Sequence, residues 1–210
     1  MLIKVCGVTS VADALACAAA GADAIGVNLW PRSPRACTLE RAAAICAALG
    51  REHPRVLRVG LLVNGSDGER AAARALFPVL QLHGDEAPEL ADAEEPAGAL
   101  WKGLRLAGAA DLALLERYAP PGWERCVIDA PSAGYGGSGR RLDLGLAAAA
   151  ARRAPVLLAG GLRPDNVAEA IAAVRPWGVD VASGVESAPG TKDLGAVAAF
   201  VQAARAAGSL

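Results

Sequence analysis

Histidine is scarce in this chain: only His53 and His83 occur among 210 residues, too few for a multi-ligand metal centre. Cysteine spacing points the same way. The five cysteines, Cys6, Cys17, Cys37, Cys46 and Cys126, are odd in number and include no C-x-x-C pair, so no zinc site is expected, and free thiols suit a reducing cytoplasm. No run of about 18 apolar residues is present to span a membrane, and the N-terminus lacks a basic segment followed by an apolar run and a cleavage site. A soluble, unprocessed protein is expected. There is no basic run either: the formal net charge is -1, with arginine interspersed among acidic residues, which argues against nucleic acid as the main partner. A small neutral-to-anionic ligand fits better. Linkers and low-complexity tracts are also missing, since alanine runs such as 42–44 and 147–151 read as helix.

What the chain does contain is an alternation, from end to end, of short runs rich in Val, Ile and Leu with longer alanine-rich segments of helical period. Eight strands are read at 2–8, 24–29, 56–63, 79–83, 100–105, 126–129, 155–159 and 179–182, each followed by a plausible helix. Helix starts are signalled by Ser10, by Thr38 with Arg41 instead of Glu at the capping-box position, by Asp67, and by Pro164-Asp165. Eight βα units in 210 residues leave little room for a second domain. The fold class expected is α/β, a single (β/α)8 TIM barrel over residues 1–210, whose closure removes exposed sheet edges. An open doubly wound sheet is the competitor.

Functional groups of such a barrel lie at the C-terminal ends of the strands. Cys6 closes the first strand, and alternation puts Leu2, Lys4 and Cys6 on one face. If that face points inward, the Lys4 ammonium lies below the thiol and favours the thiolate; otherwise Cys6 is a small buried hydrophobe. Asp129 follows Val127-Ile128 at another strand end, where apolar surroundings would raise its pKa and let it donate a proton, or where it simply caps a loop. His83 ends the fourth strand and could polarise substrate or bond a neighbouring loop. Gly160-Gly161 and Ser183-Gly184 follow strands seven and eight, the usual barrel phosphate site; tight turns alone would explain each glycine singly. Arg35 could grip a carboxylate with its planar fork or be merely solvated. The glycine-rich stretch 134–139 reads as a mobile cover or a plain surface loop.

Taken in order, Lys4-Val5-Cys6-Gly7-Val8-Thr9, Gly21-Ala22-Asp23-Ala24-Ile25-Gly26, Ser33-Pro34-Arg35 and Gln81-Leu82-His83-Gly84-Asp85-Glu86 resemble the phosphoribosylanthranilate isomerase family of tryptophan biosynthesis. Asp129-Ala130-Pro131, Ala159-Gly160-Gly161-Leu162 and Asp180-Val181-Ala182-Ser183-Gly184-Val185-Glu186 continue the match. The resemblance implies a (β/α)8 barrel performing an Amadori rearrangement of N-(5-phosphoribosyl)anthranilate, with no metal or organic cofactor. It makes Asp129 the general acid, Cys6 the general base and Arg35 the holder of the anthranilate carboxylate. His83 and Asp180 become further substrate-binding residues, and Gly160, Gly161, Ser183 and Gly184 the phosphate site. Two departures stand out: Val27-Asn28-Leu29-Trp30, where the family has aromatic residues, bears on the anthranilate pocket, and Leu142-Asp143-Leu144 touches a helix start. A metal-dependent phosphosugar epimerase and a non-catalytic phosphosugar-binding barrel are the alternatives. Monomer and homodimer are both compatible with the sequence.

Overall fold

The computed structural model describes residues 1–93, 98–118, 122–131 and 142–208. Eight parallel strands close into a barrel in sequence order: β1 (Leu2–Cys6), β2 (Ala24–Asn28), β3 (Leu57–Leu62), β4 (Val79–Leu82), β5 (Ala99–Arg105), β6 (Arg125–Asp129), β7 (Val156–Leu158) and β8 (Gly178–Val181), with β8 paired to β1. The helices outside are α1 (Val11–Ala19), α2 (Leu39–Glu52), α3 (Asp67–Arg74), α4 (Leu90–Ala93), α5 (Leu114–Arg117), α6 (Leu144–Ala151), α7 (Val167–Val174) and α8 (Leu194–Gly208). The architecture is the (β/α)8 barrel expected. Among the described residues, no helix is long and apolar enough to cross a membrane.

Alternation along each strand divides the side chains between two cores. Ile3, Val5, Ile25 and Leu80 face the helices, whereas Val59, Val79, Trp101, Val127 and Leu157 fill the barrel's lower interior. Trp101 meets Trp177 edge-on at 6.2 Å and closes that end. Above this apolar floor the interior turns polar, with Lys4, Gln81 and Asp180 all buried.

Several boundaries differ from the sequence reading. β1 stops at Cys6 and β2 at Asn28, where the Asn28 side chain accepts from the Trp30 amide at 2.9 Å and turns the chain. The third helix is capped by Ser66, with Asp67 already inside it, and Ser66 and Glu69 form a full capping box. At the seventh, the N-cap position is Asn166, not Pro164-Asp165. Among the described residues, the helices after β4 and β5 span four residues each, the second preceded by a 3-10 turn at Ala109–Ala113. A two-stranded hairpin, β9 (Glu186–Ala188) with β10 (Thr191–Lys192), follows β8 and has no counterpart in the sequence reading. Replacing the Ser66 cap by alanine should lower stability by about 1 kcal/mol, read as a reduced urea midpoint with an unchanged slope.

Candidate functional site

All nine candidate residues line one pocket at the C-terminal ends of the strands: Cys6, Arg35, His83, Asp129, Gly160, Gly161, Asp180, Ser183 and Gly184. Asn28 and Trp30, the departure noted after β2, line it too. The stretch 134–139, read as a possible cover, lies outside the described residues. Asp143, in the other departure, caps α6 by accepting from the Leu146 amide at 2.8 Å.

Cys6 and Asp180 line the pocket's polar floor, with Lys4 buried beneath them. The Lys4 ammonium donates to Asp180 Oδ2 at 2.8 Å and is wholly buried. Burial works against its charge, yet Asp180 and Cys6 together hold Lys4 above the usual lysine range. Lys4 favours the Cys6 thiolate, as expected, but it does not prevail. Burial pushes the thiol up more strongly than Lys4 pulls it down, and Asp180 adds to the upward push, so Cys6 rests above its ordinary pKa. Cys6 is therefore held mainly as the thiol.

Asp129 ends β6 across the barrel from Cys6. Burial raises its carboxyl to about 6, against a 2.7 Å hydrogen bond from the Ala130 amide that favours the ionised form. His83 is pushed down to about 3 by burial and by the charges of Lys4, Arg105 and Lys102, so its imidazole is neutral. The Gln81 amide nitrogen lies 3.2 Å from His83 Nδ1; with Nδ1 accepting, the ring proton sits on Nε2. The buried atoms His83 Nε2, Gln81 Oε1 and Asp180 Oδ1 have no hydrogen-bond partner among the described residues. One donor and two acceptors thus stand unsatisfied among the residues that line the pocket.

Beside them, Gly160 and Gly161 adopt φ of 88° and 63°, a left-handed pair that side-chain-bearing residues disfavour. A Cβ on Gly184 would collide with the Leu162 carbonyl oxygen, so the two loops approach as closely as glycine permits. Asn166 locks the first by accepting from the Arg163 amide at 2.8 Å and donating to the Gly161 carbonyl at 3.0 Å. Such a cradle of bare backbone suits an anion such as phosphate.

Arg35 is not the solvated residue of the plain alternative. Its guanidinium grips Glu186 with three hydrogen bonds of 2.8 to 3.1 Å. Glu186 also accepts from Lys192 at 2.8 Å, and Lys192 donates to the Cys6 carbonyl at 2.7 Å. Neither Glu186 nor Lys192 received a role from sequence, and one signal was legible: the chain has three lysines against many arginines, and Lys4, Lys102 and Lys192 are all buried. Where arginine serves the surface, a remaining lysine marks a constrained position.

The sequence model of the family described as N-(5'phosphoribosyl)anthranilate isomerase matches residues 3–203. The chain belongs to this family. The N-(5'-phosphoribosyl)anthranilate isomerase of Myxococcus xanthus is 47% identical over 208 residues, covering 97% of this chain and 95% of that protein. Among solved structures, phosphoribosyl anthranilate isomerase from Thermotoga maritima superposes with a TM-score of 0.86 at 34% identity, covering 98% of this chain and 100% of the other. A further isomerase structure, in complex with reduced 1-(o-carboxyphenylamino)-1-deoxyribulose 5-phosphate, gives 0.83 at 32% identity, with coverage of 98% and 100%.

The raised Asp129 carboxyl has a cost in stability. Its folded pKa of about 6 lies above the unfolded value, so its contribution is full below about pH 4 and is lost as pH rises towards 6. Asp129→Asn should therefore stabilise the protein at pH 7 by up to about 3 kcal/mol, with the gain vanishing below pH 4, as urea unfolding at the two pH values would show. A Cβ on Gly103 would overlap the His83 ring; Gly103→Ala should displace the imidazole and destabilise the barrel, read as a lowered urea midpoint.

Proposed function

We propose that Asp129 and Cys6 divide the acid and base work of the isomerisation this family performs, the Amadori rearrangement of N-(5-phosphoribosyl)anthranilate to 1-(2-carboxyphenylamino)-1-deoxyribulose 5-phosphate. Asp129, as the protonated acid, donates to the ribose ring oxygen while the C1′–O bond breaks and the anilino nitrogen supplies the pair for a C1′=N bond. The Cys6 thiolate then takes the C2′ proton, and the released pair forms a C1′=C2′ bond and neutralises the nitrogen. The resulting enolamine tautomerises to the ketone.

The observation that carries this division is the carboxyl raised to about 6 on the same pocket as a buried thiol, with the phosphate cradle beside them. Gly160, Gly161, Ser183 and Gly184 hold the phosphate, His83 and Asp180 the sugar hydroxyls, and Arg35 the anthranilate carboxylate. The protein acts as one barrel domain over residues 1–210, on a small phosphorylated molecule, with no metal or organic cofactor. Five buried free thiols suit the cytoplasm. One structural relative consists of monomers generated from the dimeric phosphoribosylantranilate isomerase of Thermotoga maritima, and sedimentation decides between monomer and homodimer for this chain.

Cys6→Ala and Asp129→Asn should each lower kcat by at least about 100-fold, followed as the loss of substrate fluorescence when phosphoribosylanthranilate is generated in place. Unchanged turnover in both variants overturns the assignment. The productive form pairs a protonated Asp129 with an ionised Cys6, so kcat/KM should trace a bell, its acid limb near pH 6 and its alkaline limb above the ordinary thiol range. Asp129→Asn removes the need for a protonated carboxyl, so its residual kcat/KM should lose both the break near pH 6 and the alkaline fall, rising instead until the Cys6 thiol is ionised.

A further inference from the structure

Arg35 reaches the pocket already committed. Nε and Nη2 are both engaged by the Glu186 carboxylate, an arrangement that would ordinarily leave a neutral pair and a local negative charge facing any incoming carboxylate. Lys192 changes that balance. Its ammonium is 0% exposed, lies outside the pocket lining, and donates to Glu186 Oε1 at 2.8 Å, to the Cys6 carbonyl at 2.7 Å and to the Ala182 carbonyl at 3.3 Å. Two cations thus share one carboxylate, and the cluster keeps one net positive charge. The effect is visible on Glu186, whose carboxylate is held below its usual range, in spite of burial, by Arg35 and Lys192 together.

The surrounding charges do not cancel this. Asp13, from α1, accepts from the Lys192 backbone amide at 3.2 Å on the helix side, away from the pocket lining. Lys4 and Asp180 neutralise each other on the adjoining strands. Thr9 fixes the hairpin by donating to the Gly190 carbonyl at 2.6 Å, so Lys192 has little freedom to leave.

We propose that Lys192 is a positioning residue for anionic substrate: by neutralising Glu186 from behind, it lets Arg35 be held rigidly by a carboxylate and still attract another. Glu186 fixes the fork, and Lys192 keeps the fork cationic. This rests on Arg35 facing the substrate's carboxylate, and the role of Lys192 can fail while that assignment stands.

The test compares affinities for two probes, reduced 1-(o-carboxyphenylamino)-1-deoxyribulose 5-phosphate and its counterpart made from aniline, which lacks the ring carboxylate. Wild type should favour the carboxylated probe by at least about tenfold; if it does not, the Arg35 assignment falls and the role of Lys192 with it. Lys192→Met should weaken the carboxylated probe roughly 10- to 100-fold while leaving the aniline probe nearly unchanged. Lys192→Arg should retain most of the preference. The decisive variant is Lys192→Met combined with Glu186→Gln, which restores one net positive charge and should recover the carboxylated probe. Equal weakening of both probes by Lys192→Met, or no recovery in the double variant, overturns the proposal. If Lys192→Met fails to fold, Glu186→Gln alone decides: retained or tighter binding of the carboxylated probe supports it, and selective loss of that probe overturns it.

Discussion

The barrel closes on an ion pair. Lys4 of β1 and Asp180 of β8 stand opposite each other in the register that joins the last strand to the first, 2.8 Å apart and out of solvent. A lone charge there would be prohibitive, and either partner without the other would leave one. The pair therefore ties the closing seam to the composition of the pocket floor. Cys6, two residues above Lys4 on the same face, takes its electrostatic environment from it. Hydrophobic packing supplies the barrel's lower half, but the polar upper half stands on this contact.

The same device recurs. Lys102 donates to Glu86 at 2.6 Å and to the Gly84 carbonyl at 2.8 Å, binding the loop after β4 to β5. Lys192 joins the hairpin to the ends of β1 and β8. Each lysine meets one carboxylate and at least one backbone atom or neighbouring side chain of the active face. A long, flexible stem ending in a point charge suits this better than a planar guanidinium, because it can reach a carbonyl and a carboxylate that do not share a plane.

The strands were legible because each is a short apolar run bounded by turn residues, and most of the nine pocket residues because they lie at or just after strand ends, where such barrels carry function, whereas Asp180 was marked only by the family resemblance. What sequence hid were relations between distant residues. That Lys4 would lie near Cys6 followed from alternation; that burial would outweigh it did not, since desolvation depends on the whole enclosure. Arg35 could be read as a carboxylate binder, but not as one already bound to a residue 151 positions away. The short helices after β4 and β5 lack a strong period, and at the third helix Ser66 and Asp67 are both good cap residues side by side, of which Ser66 prevails because Glu69 completes its capping box.

The Lys4 to Asp180 and Lys192 to Cys6 contacts link residues 176 and 186 positions apart. Such pairings form late, because the loop they close must first lose its entropy. As the chain leaves the ribosome, β1 thus exists long before the residues that give its cysteine a working environment. With the role proposed for Cys6, chemistry is coupled to ring closure itself: a partly assembled barrel carries Cys6 as an ordinary thiol, and the return of turnover during refolding would report the docking of β8 and the hairpin, not the earlier growth of the sheet.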